Sequence, residues 1–127
     1  MSESEPYTAD KMAGRTKALA LRILKLAGSL PRSVTGKTLG QQIARSGTSL
    51  AANYRAAVRG RRKAEFIAKL SIAHEKADKT LFWLEMIVES NLIPYKKLEQ
   101  LMDEANQIIA IIVTSLKTAK RNQTTNS

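Results

Sequence analysis

Apolar residues return along this chain at alternating steps of four and three, and nowhere do they hold the period-two alternation of a strand. That pattern predicts four helices and an all-α fold. The first follows Thr8 as cap and places Met12, Thr16, Leu19, Ile23, Leu26 and Leu30 on one side, stopping near Pro31. The segment "PRSVTG" reads as a loop, with Thr35 or Thr38 capping a second helix from about Lys37 to Val58, and "RGRR" at 59–62 as the next turn. A third helix over about Lys63 to Ser90 turns Phe66, Leu70, Ala73, Ala77, Leu81, Leu84 and Val88 inward. After "NLIPY", a fourth over about Tyr95 to Lys120 carries Leu98, Leu101, Met102, Ala105, Ile108, Ile109, Ile112 and Leu116. Short connections between long helices favour antiparallel neighbours, hence an up-down-up-down four-helix bundle. The expected division is a flexible acidic N-terminus at 1–8, the bundle at 9–120 and a disordered polar tail at 121–127.

The apolar surface exceeds what one bundle core needs. Ile111 and Val113 flank the inner stripe of the fourth helix, and Ile72, Trp83 and Met86 fall on a different face of the third from Phe66 and Leu70. These five are the expected oligomer interface, since exposed apolar patches mark contact surfaces.

The second helix has two stripes. Gly40, Ala44, Gly47, Ala51, Tyr54 and Val58 form a face small enough for a neighbouring backbone to approach closely. Arg45, Thr48, Ala52, Arg55, Arg59 and Arg62 follow the same rhythm on another face, a ridge of guanidinium forks suited to phosphate oxygens. Lys11, Arg15, Arg22 and Lys25 are spaced along one side of the first helix and extend it. Read instead as a helix-turn-helix, "TLGQQIARSGTSLAANYRAA" would put Gly47 in the turn, but both stripes run through Gly47 without a change of phase.

Charge sharpens this picture. The net charge of +10 lies almost wholly in the first half: thirteen Lys or Arg and no acid separate Lys11 from Ala64, whereas eight basic and eight acidic residues balance from Glu65 onward. Such asymmetry within one domain points to a polyanion partner. Specific single-strand recognition adds exposed aromatic rings. Packing accounts for Tyr54, Phe66, Phe82 and Trp83, leaving Tyr7 and Tyr95, so binding is expected to run through the phosphate backbone, with steep salt dependence.

Little points to chemistry. "TGKT" at 35–38 lacks both the glycine of a phosphate loop, Pro31 standing in its place, and the preceding strand. His74 is the only histidine, and although Glu75 and Asp78 are near it, a metal site or triad needs more convergent groups. Glu85, Glu89, Asp103 and Glu104 include no Glu-x-x-His pair, and there is no cysteine. No enzyme activity, metal or cofactor is expected. The acidic start has no apolar signal core and "IIAIIV" at 108–113 is far short of a bilayer span, so the expected setting is cytoplasmic, without a membrane partner.

"QQIARSGTSLAANYRAAVRGRRKAEFIAKLSIAHEKADKTLFWLE", 41–85, resembles the four-helix-bundle proteins named after ribosomal-RNA intervening sequences, most specifically in "RSGTSLAAN" and "RRKAEF", with a weaker match over about 10–118. The resemblance implies a small cytosolic homopentamer without catalytic residues. The accessory variability proteins of diversity-generating retroelements share that fold, and there the basic pentamer binds nucleic acid and a reverse transcriptase. The family's basic residues near the second turn map onto Arg61 and Lys63, and its aromatic anchor onto Phe66. Many members carry Glu-Gly after the Asn motif where this chain has Ala56 and Ala57, which removes an acid beside the ridge. Asn53 itself reads as a buried amide bonded between helices. The expected function is thus non-catalytic binding of RNA or DNA by a basic homo-oligomer, possible partners including a reverse transcriptase. The alternative is an adaptor for an acidic protein.

Overall fold

The computed structural model describes residues 4–125, and the side chains of residues 9–122. Four helices follow one another: α1 (Ser4–Ser29), α2 (Val34–Val58), α3 (Lys63–Glu89) and α4 (Tyr95–Thr125). No strand occurs among the described residues. Each helix packs on its chain neighbour, α1 and α4 meet more sparsely, and the diagonal pairs do not pack, as in an antiparallel bundle. Leu19, Ile23, Ile43, Leu50, Leu70, Leu84, Ile87, Ile108 and Ile112 fill the centre, so the inward stripes of all four helices share one core.

Several boundaries differ from expectation. α1 begins at Ser4, upstream of Thr8, because Pro6 falls in the first turn, where backbone N–H groups have no helical acceptor to lose. α4 continues through 121–125, into the stretch expected to be disordered, which contains no Pro or Gly to stop it. The remainder of the two termini, 1–3 and 126–127, lies outside the described residues. α2 starts at Val34, capped by neither Thr35 nor Thr38 but by Ser33, whose hydroxyl accepts from the Gly36 N–H at 3.0 Å. A Cβ on Gly36 would collide with the Pro31 carbonyl, which is why this tight corner carries glycine.

α2 is uninterrupted from Val34 to Val58, which overturns the helix-turn-helix reading. Gly47 is a docking point: an added Cβ would lie 2.9 Å from Ile23 Cγ2 of α1. On the other flank of α2, the buried hydroxyls of Ser46 and Thr80 sit 3.0 Å apart and join α2 to α3. Asn53 does not bridge helices as expected. Half-buried, it donates back to the Ser49 carbonyl at 2.9 Å and to the Ser49 hydroxyl at 3.1 Å, within reach one turn earlier on its own helix.

Candidate nucleic-acid interface

The cations divide by the company they keep. Arg45, Arg55 and Arg59 stand on the solvent face of α2, with Arg61, Arg62 and Lys63 exposed in the turn and at the start of α3. None of these six has a carboxylate partner among the described residues; the side-chain ion pairs there include Arg15–Glu104 and Lys76–Glu75. Glu65 is the one acid in the turn, and it is used otherwise: its Oε1 accepts the backbone N–H groups of Arg61 at 2.9 Å and Arg62 at 3.4 Å. Its charge therefore sits at the N-terminus of α3, where the helix dipole favours it, and it forms no ion pair with the basic side chains.

The basic row on α1 belongs to a different surface. Arg15 Nε and Nη2 donate to Glu104 at 2.9 and 2.7 Å, and Nη2 also reaches Gln107 at 3.2 Å, so this fork is engaged by α4 instead of presented to phosphate. These bonds hold the Glu104 carboxyl below its usual range, against partial burial, and the positive charge of Arg22 adds to the effect. Arg22 thus also faces α4. Lys25 and Lys11 are exposed, and Lys11 makes contacts of its own. Leu21, 60% exposed, and Leu24 are exposed on the same helix. Arg15 and Arg22 thus stand on the α4 side of α1. Helical phase separates them from Ile23 and Ala27, which face α2.

Of the expected oligomer face, Ile72 and Met86 are exposed, whereas Trp83, Ile111 and Val113 are half-buried, the first two against the core. Phe82 is 49% exposed, although packing was expected to cover it, and meets Trp83 edge-on with ring centroids 4.8 Å apart. Besides Val34 at the start of α2, Leu21, Leu24 and Phe82 were the apolar surface residues that periodicity missed. All three sit off the inward stripes, which is the signal that could have found them.

At the end of the bundle where α2 turns into α3, Arg61, Arg62 and Lys63 rim an open cavity of about 680 Å³. Its walls include Tyr54, Val58 and Phe66 on one side and Thr114, Thr118 and Ala119 of α4 on the other. Tyr54 is only 6% exposed. Its hydroxyl has no hydrogen-bond partner among the described residues and is not sealed from solvent, and the residue lines this cavity. Burial raises the phenol above its usual pKa, near 10, which keeps it a neutral donor and acceptor at physiological pH.

No group of His, Asp and Glu among the described residues is arranged to hold a metal ion. His74 pairs with Asp78 at 3.5 Å on its own helix. No described helix is long and apolar enough to cross a membrane.

A crystal structure of a protein with unknown function from the S23 ribosomal protein family of Bacteroides thetaiotaomicron VPI-5482 is similar to this chain. The two share 29% sequence identity, with a TM-score of 0.79 over 86% of this chain and 97% of that one. No curated protein matches the chain. The family model described as 23S rRNA-intervening sequence protein matches residues 11–114, spanning α1 to α4 and including the α2 ridge and the basic turn, and the chain therefore belongs to that family.

Proposed function

We propose that the protein is a non-catalytic nucleic-acid-binding module that holds RNA or DNA through the phosphate backbone. The observation that carries this reading is the run of six exposed, unpaired cations, Arg45, Arg55, Arg59, Arg61, Arg62 and Lys63, on the solvent face of α2 and the turn after it. Arg45 and Arg55 are about 15 Å apart along the helix. That span suits separate phosphates along a strand or across a groove better than one small anion. Backbone contacts of this kind position a nucleic acid without reading its sequence. Membership of a family named for intervening sequences in 23S rRNA favours RNA.

The active form is a homo-oligomer, with the pentamer implied by family resemblance as the specific expectation. Supporting it, Leu21 and Leu24 on α1 and Ile72, Phe82 and Met86 on α3 expose apolar surface on diagonal, hence opposite, helices of the bundle. Two unlike patches facing away from each other suit head-to-tail contacts, which form rings where the rotation between subunits closes. A ring would repeat the basic ridge in every subunit. Assistance to a reverse transcriptase is the most concrete version and rests on the resemblance; a reverse transcriptase gene beside this one would support it.

The test is retention of a labelled RNA at low salt by the wild type and by the Arg55→Glu/Arg62→Glu double variant, with circular dichroism as the check on folding. Retention by the wild type and loss in the folded variant is expected. Equal retention would reject the reading, and capture of an acidic protein without RNA would favour an adaptor.

A further inference from the structure

We infer that the cavity at the α2–α3 end is a site for a single nucleotide, its phosphate on Arg61, Arg62 and Lys63 and its base in the cleft against Phe66 and the Tyr54 hydroxyl. The inference rests on the nucleic-acid reading only for the source of that nucleotide, an unpaired position in a bound strand.

Three features converge on this ligand class. The rim carries three cations whose side chains form no ion pair with a carboxylate among the described residues, the Glu65 carboxylate being bonded to the backbone of the turn. An inorganic anion would satisfy the rim alone. The interior is different in character: Ala57, Val58, Phe66 and Ala119 present apolar surface, which only a ligand with a flat or apolar part can cover. Tyr54 is part of that lining, a residue more than nine-tenths buried whose hydroxyl bonds to nothing in the described chain and is not sealed from solvent. That hydroxyl is free to bond a ligand, and a base edge, which carries donors and acceptors on an aromatic ring, supplies both a partner and a flat surface. The space of about 680 Å³ is within the range of small-ligand sites. The ridge on α2 leads to it, since Arg55 and Arg59 are on the last turn of that helix and at its cap.

The probe is adenosine 5′-monophosphate, titrated into the full chain carrying ring-labelled tyrosine and followed by NMR, with adenosine and inorganic phosphate as separate ligands. The monophosphate is expected to shift the Tyr54 ring signals and to bind about tenfold more tightly than either fragment, since a charge-assisted contact and the burial of the base are both required. Tyr54→Phe, which keeps the ring and the packing, is expected to weaken it about three- to tenfold. Phe66→Leu, which keeps apolar volume on the half-buried wall, is expected to weaken it by a similar factor. Inorganic phosphate binding as well as the monophosphate, or Tyr54→Phe binding it as well as the wild type, would overturn the inference. A labelled duplex RNA, which offers backbone but no unpaired base, separates the two readings. Retention of the duplex with no monophosphate effect at Tyr54 rejects the cleft alone. Monophosphate binding in the cleft with no retention of duplex or single strand rejects the nucleic-acid reading and leaves the nucleotide site standing.

Discussion

Arginines from the same acid-free half of the chain meet opposite fates at two places in the bundle. Along the α1–α4 seam, Arg15 lies beside a helix from the balanced half, and its fork is taken up by Glu104 and Gln107. At the α2–α3 turn, Arg61 and Arg62 have an acid four and three residues on, yet Glu65 accepts from their backbone N–H groups and leaves their side chains open. Proximity in sequence failed to neutralise charge, whereas proximity in the fold succeeded. Availability to a partner thus depends on which helix runs alongside and on what each carboxylate is bonded to, and net charge alone does not reveal it.

The contrast can be broken experimentally in several ways. The largest effect belongs to the open cations: Arg55→Glu with Arg62→Glu should weaken RNA binding by on the order of tenfold or more at low salt and leave helicity intact. Arg15→Ala should do the reverse, changing binding little. Next in size is an uncharged disturbance of the α1–α2 seam, Gly47→Val, whose added Cβ would stand 2.9 Å from Ile23 Cγ2. It should cost about 1–3 kcal/mol by thermal or urea unfolding. Glu65→Ala should cost about 1 kcal/mol through removal of the acceptor at the start of α3, while raising RNA affinity, because the turn no longer holds an acid. Smallest is the seam pair itself. Removing Arg15 or Glu104 should cost no more than about 1 kcal/mol, since both side chains are partly solvated, 30% and 25% exposed.

That last effect has a pH signature. The Glu104 carboxyl is held down in the folded state, so the pair stabilises the protein fully above the ordinary glutamate pKa, about 4.3, and the contribution fades as pH falls through the depressed folded value. The stability difference between the wild type and Glu104→Gln should therefore shrink on acidification below about pH 4.3. A difference that grew instead would show that Glu104 is not held by Arg15.

Much of this was legible in the sequence, and the boundary between legible and illegible is physical. The inward stripes repeat with the helical period, so residues such as Ile23, Leu84 and Ile112 could be placed in one core without coordinates, whereas Ile43 lies outside the stripe read for α2. The small face of α2 was legible for the same reason, and Gly47 against Ile23 gives it a specific role. Which side of α1 carries Arg15 and Arg22 relative to α4 was not, because periodicity fixes a face of one helix and says nothing about its neighbour. Capping by Ser33 over Thr35 or Thr38 turned on the corner at Pro31 and Gly36, a tertiary clash invisible to residue preference. Asn53 was misjudged because its competing acceptor, Ser49, lies one turn back on the same helix. The Tyr54 hydroxyl could not be found from spacing at all: the tyrosine shares the packing stripe, and only the open cavity lined by α4 sets it apart.

The most direct test of the central claim is the salt dependence of RNA binding by the wild type and by the Arg55→Glu/Arg62→Glu variant. The logarithm of the binding constant should fall steeply and linearly with the logarithm of salt for the wild type. For the variant the slope should be shallower by about two, one for each phosphate that no longer meets an arginine. Identical slopes for the two proteins, or no retention of RNA by the wild type even at low salt, would contradict the account.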